Sequence, residues 1–186
     1  MRKEEQRLEA IARRRAIPAA DRIEAAEAIA AHVLAQPIVA QASRIAAYVS
    51  MRSEPGTGPT IAGLLDRGIE VIVPVSLEDG RLDWVTYLPE AALISTSLGI
   101  SEPDGDRLGA GALSTADFVI VPALVVDVSG NRLGRGAGYY DRALAQANGP
   151  LCALLFAGEI ADAVPHETHD VRVDMVVTPT GVFRVP

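Results

Sequence analysis

Lysine is almost absent from this chain: of 17 basic residues only Lys3 is lysine, and the rest are arginine. Cysteine is as scarce. Cys152 stands alone in the apolar run LCALLFA, so no internal disulfide can form, and a lone thiol in such a run reads as a small hydrophobe. No apolar run reaches the roughly 20 residues that a membrane-spanning helix needs. The opening MRKEEQRLEAIARRR carries charges where the apolar segment of a secretory signal would stand, so the sequence predicts a cytoplasmic protein. Positive charge is in deficit too. The net charge is −7, which excludes nucleic acid or a membrane surface as the main partner, because both need broad basic patches. A local arginine cluster can still bind a small anion.

What is present is enough apolar material for a core, 49% of 186 residues, and a length that predicts one domain over 1–186. Residues 2–16 read as a polar helix with a thin stripe of Leu8, Ile11 and Arg15, stopped by Pro18. Lys3 and Arg7, four apart, share one of its faces. Residues 19–35 read as an Ala-rich amphipathic helix with Ile23, Ala26, Ile29, Ala30 and Val33 at helical spacing. Strands are expected at Arg44–Ser50, Glu70–Val75, Leu82–Tyr87, Asp117–Val126, Leu151–Ala157 and Met175–Thr178, with a helix from Thr60 to Arg67 ending at Gly68. Residues 89–98 read as short turns, 105–113 as a glycine-spaced polar loop, and 159–165 as a short helix. Trp84 reads as packing. Strands alternating with helices imply an α/β fold, a mainly parallel sheet with helices on both faces.

The chain is organised around Val121–Leu144, VPALVVDVSGNRLGRGAGYYDRAL. An apolar run passes into a loop with Gly130, Gly134, Gly136 and Gly138 and restarts as a helix carrying Tyr139, Tyr140 and Asp141. Glycines let backbone N–H groups approach a ligand, and a helix start adds unpaired N–H groups and the positive end of its dipole. Arg132 and Arg135 bring two guanidinium forks suited to phosphate. Asp141 offers a carboxylate to a hard cation on those phosphates. The loop is neither a Walker A sequence nor the dinucleotide fingerprint, since its glycines run G-x-G-x-G. The residues His166, His169, Asp170 and Asp174 lack a second compact ligand group, which argues against zinc.

The block NRLGRGAGYYDRAL resembles the signature of the 5-formyltetrahydrofolate cyclo-ligases, also called 5,10-methenyltetrahydrofolate synthetases. Lys3 and Arg7 resemble that family's N-terminal basic pair. RIAAYVSMRSE, ending in Glu54, resembles its first strand and substrate loop, and GISEP and HDVRVDMVVTP match its later blocks in order. The resemblance implies a Rossmann-like three-layer domain with the active site across the carboxyl ends of the strands. It implies ATP and Mg²⁺ as cofactors and closure of 5-formyltetrahydrofolate to 5,10-methenyltetrahydrofolate, with ADP and phosphate released. By resemblance, Lys3, Arg7 and the segment Arg132, Leu133, Gly134, Arg135, Gly136, Ala137, Gly138, Tyr139 and Tyr140 hold ATP. Val49, Met51, Glu54, Tyr139 and Tyr140 line the folate, Glu54 as acceptor for pterin N–H groups. Arg135 and Tyr140 are catalytic, and Asp141 and Asp170 hold magnesium, with Asp174 the weaker candidate. Two positions depart from the pattern: Leu98 stands where many members have an aromatic residue, and Ala137 where some have lysine. Two rivals remain, a related ATP-dependent ligase or kinase acting on another pterin or one-carbon carrier, and a non-catalytic folate- or nucleotide-binding module. Oligomeric state stays open between a monomer and a weak dimer.

Overall fold

A computed structural model of the chain describes residues 2–90, 93–95, 101–167 and 170–186. Helix α1, Lys3–Ala16, is started by a capping box in which Glu5 Oε2 accepts the Arg2 N–H at 3.0 Å. Glu4 and Glu5 lie in its first turn and Arg13 to Arg15 in its last, matching the helix dipole. Its buried face is Gln6, Ala10 and Arg14. Of the apolar stripe expected from the sequence, Ile11 packs against the small core of Ala10, Leu124 and Leu133, whereas Leu8 is 60% exposed. The reason is that α1 docks through a polar seam. Arg14, 1% exposed, donates to both oxygens of Glu159 at 2.7 and 2.8 Å and to the Ala123 carbonyl at 2.7 Å.

Helix α2, Ala19–Leu34, buries Ala25, Ala26, Ile29, Ala30 and Val33, whereas Ile23 is 66% exposed, two residues before the buried stretch begins. With α3, Pro37–Gln41, and α4, Gly58–Leu65, it covers one face of a seven-stranded sheet. The strands, in chain order, are β1 Arg44–Ala46, β2 Glu70–Ser76, β3 Leu82–Thr86, β6 Phe118–Pro122, β9 Leu151–Leu154, β11 Met175–Thr178 and β12 Gly181–Arg184. They are arranged β12-β11-β9-β6-β1-β2-β3. The inner pairs are parallel, and the edge strands β3 and β12 run antiparallel. Along β6, Phe118 and Ile120 point to the α2–α4 face. Val119 and Val121 point to the other, which is covered by α5, Tyr139–Ala143, and by the 3₁₀ turns Ala110–Thr115 and Leu144–Gln146. This two-faced alternation is why the strand reads as continuously apolar. Trp84 is in that second core.

Several expected elements differ. The strand expected over Arg44–Ser50 pairs only through Ala46, and its later residues rise into the Glu54 loop. The run expected over Asp117–Val126 breaks after Pro122. Its end, β7 Val125–Asp127, joins a small sheet with β8 Arg132–Leu133 and β10 Ile160–Ala161. So the helix expected over 159–165 is absent: Glu159 is spent on Arg14 and on the Phe156 N–H, and Ile160 pairs with Val126. The 128–131 turn is held by Asp127, which accepts four hydrogen bonds at 2.9 Å, from the backbone N–H of Ser129, Asn131 and Val164 and from Asn131 Nδ2. Gly130 is obligatory there: φ is 82°, and a Cβ would stand 2.4 Å from the Val173 carbonyl oxygen. Leu93–Ser95 (β4), within the expected turns, pairs antiparallel with Ser101–Pro103 (β5), and Leu113, at the end of the expected polar loop, is buried. Leu98 and the start of GISEP lie outside the described residues. Among the described residues no helix is long and apolar enough to cross a membrane.

Candidate active site

The chain steps from β1 to β2 in one direction and from β6 to β9 and β11 in the other. This reversal opens a crevice at the carboxyl ends of β1 and β6, where open α/β sheets hold their ligands. A cleft of about 470 Å³ occupies it. Lys3, Arg7, Val49, Met51, Glu54, Arg132 to Asp141, and Asp170 line this cleft, whereas Asp174, the weaker magnesium candidate, lies outside it and accepts the Leu151 N–H at 2.7 Å.

One wall is cationic. Arg7 Nε donates to the Gly134 carbonyl at 3.0 Å, and its guanidinium lies against Gly136. Gly136 and Gly138 have φ of 98° and 73°, a left-handed backbone that glycine adopts without strain. Arg135, on the exposed rim, donates to Ser53 Oγ at 2.8 Å and lies 3.4 Å from Glu54 Oε1. Lys3 Nζ lies 3.3 Å from Asp170 Oδ2 and 3.4 Å from Glu167 Oε1. Arg132 is buried and donates to Asp141 and to the Val171 carbonyl. Burial works against its charge and lowers its pKa, while Asp141 and Asp170 counter this. Arg132 therefore anchors Asp141 while lining the cleft itself.

Asp141 and Asp170 thus flank one arginine. No compact group of three or more His, Cys, Asp or Glu side chains exists among the described residues. Two carboxylates beside a glycine loop and its arginines fit Mg²⁺, which takes one or two protein carboxylates and completes its octahedron with phosphate oxygens and water.

The second wall is phenolic and apolar. The hydroxyls of Tyr48 and Tyr140 are buried and, among the described residues, unpartnered. Burial first, and the Glu54 carboxylate second, raise the pKa of both above the ordinary phenol value, so both stay protonated donors. Glu54, 7% exposed, accepts the Met51 N–H at 2.8 Å on Oε2, which fixes its loop. Tyr139 lines the cleft too, its ring 5.9 Å from the Arg142 guanidinium. Cys152 lies elsewhere in the core, and burial pushes its thiol to about 12.

Sequence reasoning missed Arg14, Tyr48 and Glu102, which also line the cleft. Arg14 continues the face of Lys3, Arg7 and Ala10 at helical spacing, a signal open to reading. Tyr48 is covered as a strand residue, and Glu102 sits in the middle of the SEP segment.

A doubly wound sheet with a glycine-lined, cationic cleft across its carboxyl ends is the architecture of an α/β enzyme that takes phosphorylated ligands. The chain belongs to the 5-formyltetrahydrofolate cyclo-ligase family, whose sequence profile matches residues 1–179. It is 39% identical over 173 residues to the 5-formyltetrahydrofolate cyclo-ligase of Mycolicibacterium smegmatis, covering 89% of this chain and 88% of that one. It is 31% identical over 178 residues to the enzyme of the same name from Escherichia coli, covering 92% and 97%. Its fold matches the solved 5,10-methenyltetrahydrofolate synthetase of Aquifex aeolicus with a TM-score of 0.85 and 27% identity, over 100% of this chain and 93% of that one.

Proposed function

We propose that this chain closes 5-formyltetrahydrofolate to 5,10-methenyltetrahydrofolate at the expense of ATP, with Mg²⁺ as counter-ion, in one domain over residues 1–186. The observation that carries the residue roles is the meeting, in one cleft, of a phosphate cradle (Lys3, Arg7, Arg135 and the Gly134–Gly138 backbone) with a buried phenol and carboxylate wall.

A formamide oxygen is a poor leaving group. Transfer of the ATP γ-phosphoryl to that oxygen makes it a phosphate ester. N10 of the folate then attacks the formyl carbon and gives up its proton, the C–O bond breaks, and phosphate leaves with that proton. The protein has little covalent work to do; it holds two substrates in line and neutralises moving charge. Lys3, Arg7, Arg132, Leu133 and the loop through Tyr140 bind the triphosphate. Arg135, from the exposed rim, takes up charge as the phosphoryl group moves. The Tyr140 hydroxyl, held protonated, donates to the formyl oxygen. Glu54 steadies the formyl end of the folate and, by its contact with Arg135, sets where that arginine reaches. Val49, Met51 and Tyr139 complete the folate wall. Asp141 and Asp170 would hold Mg²⁺, which supplies charge neutralisation on the phosphates.

The test is a mixture of protein, 5-formyltetrahydrofolate, Mg²⁺ and ATP, followed by the near-ultraviolet absorbance of the methenyl product. The expected result is a rise that needs ATP and releases one ADP per product. Product formed without ATP, or ATP hydrolysed without product, would refute the reading.

A further inference from the structure

The β2–β3 side of the cleft is built by Pro74 and Ser76 of β2, Leu82 of β3, and Glu102 and Pro103 of β5. The order β6-β1-β2 sets β2 about 10 Å from β6, at two strand spacings. Glu102 is 6% exposed. Its Oε1 accepts the Ser76 N–H at 2.9 Å. Its Oε2 is buried and, among the described residues, has no hydrogen-bond partner. A buried carboxylate oxygen without a donor is costly, and folded proteins seldom leave one except where a ligand completes it. The groups beside it, two prolines and a leucine, make an apolar slot suited to a flat ring. Glu54 cannot fill this role fully, because its two oxygens already face the Met51 N–H and Arg135.

We propose that Glu102 is the specificity residue that reads the 2-amino-4-oxo edge of the pterin. This rests on the folate reading of the cleft given above, and assigns the pterin N–H groups to Glu102 instead of Glu54. That edge presents two adjacent donors, N3–H and the 2-amino group, and a carboxylate is their complement. Adenine, the other flat ring in the reaction, carries one amino group flanked by acceptor nitrogens. Set against Glu102, it would oppose lone pairs to a carboxylate. The same residue therefore sorts the two rings between the two sides of the cleft.

The test is calorimetric binding of 5-formyltetrahydrofolate, of its 2-desamino-2-methyl analogue and of ATP to the wild type, Glu102→Gln and Glu102→Ala. Both variants are expected to bind 5-formyltetrahydrofolate about 10- to 100-fold more weakly while ATP affinity stays within about twofold. Most of that penalty should vanish with the analogue, which lacks the 2-amino donor. Glutamine keeps the shape and the acceptor for Ser76, so its thermal midpoint should match the wild type and its loss should report recognition. Equal loss for folate and analogue would show a structural role and overturn the assignment, as would a selective loss of ATP binding. Unchanged folate affinity in both variants would overturn the assignment alone. A wild type that binds ATP but no 5-formyltetrahydrofolate would overturn the folate reading and the assignment together.

Discussion

The Arg7 guanidinium lies 3.2 Å from the point where a Cβ on Gly136 would stand, while its Nε donates to the carbonyl of Gly134. The N-terminal helix and the glycine loop, far apart in sequence, are thereby one binding wall.

Gly136→Ala is expected to break that wall. The new methyl group strains a backbone at φ 98° and pushes on Arg7. A strain of about 1–2 kcal/mol, felt in the loop, should raise KM for ATP about tenfold with little change in the global melting temperature. Initial rates against ATP concentration check it; an unchanged KM would mean that the loop does not contact nucleotide.

Arg14→Met should cost about 3–5 kcal/mol, because it strands a buried Glu159 carboxylate. Adding Glu159→Gln should restore part of the loss, since the amide carries no charge and can still accept the Phe156 N–H. Urea unfolding of the single and double variants measures both. KM for ATP should rise in the single variant, as α1 also carries Lys3 and Arg7.

Arg135→Ala and Tyr140→Phe should separate binding from chemistry. Arg135→Ala removes an exposed phosphate contact, so KM for ATP rises and kcat falls, with stability unchanged. Tyr140→Phe keeps the ring and deletes a donor to the reacting oxygen, so kcat falls about 10- to 100-fold with both KM values nearly constant. Steady-state kinetics decide; a Tyr140→Phe variant that changes only KM would place its hydroxyl away from the reacting atoms.

Acid should weaken the fold through carboxylates that folding keeps ionised. Burial works against the charge on Asp127, but its hydrogen bonds from Asn131, Val164 and Ser129 outweigh this and lower its pKa. The Arg44 side chain lowers that of Glu70, and the Arg44 and Ser43 N–H groups that of Asp117. A pKa below the unfolded value means stabilisation that is full above roughly pH 4 and lost as pH falls through the folded values. Urea midpoints should be flat near neutrality and fall below about pH 4. Asp127→Ala should cost about 2–4 kcal/mol at pH 7, by stranding buried N–H donors, and its deficit should narrow in acid.

The parts of this molecule legible in its sequence are local ones. Gly134 to Asp141 is one contiguous block, so its glycines, arginine and aspartate stand together in the sequence and carry the resemblance to the family signature. The alternation of Phe118 with Val119 hides in a continuous apolar run, yet the run itself announced a doubly covered strand. What failed depends on distant partners. Leu8 is exposed because Arg14 finds Glu159, 145 residues on. The strand expected to Val126 breaks because Pro122 ends its ladder and the chain turns to build a second small sheet. Glu102 and Tyr48 matter through what surrounds them, which no linear pattern encodes. Asp141, Asp170 and Glu54, far apart in sequence, line the same cleft, a meeting that only the fold brings about.

The pairing of Lys3 with Asp170 and of Arg132 with Asp141 has a consequence for ionic strength. A cleft whose cations face only solvent gathers counter-ions and gives them up on binding, so its affinity falls steeply with salt. Here the countercharge is built into the chain. On the proposed reading, Lys3 and Arg132 would exchange a carboxylate partner for an incoming triphosphate, and the carboxylates would pass to the metal it brings. Affinity for the metal–nucleotide pair should therefore vary only gently with salt, and nucleotide stripped of its metal should meet the carboxylates as repulsion.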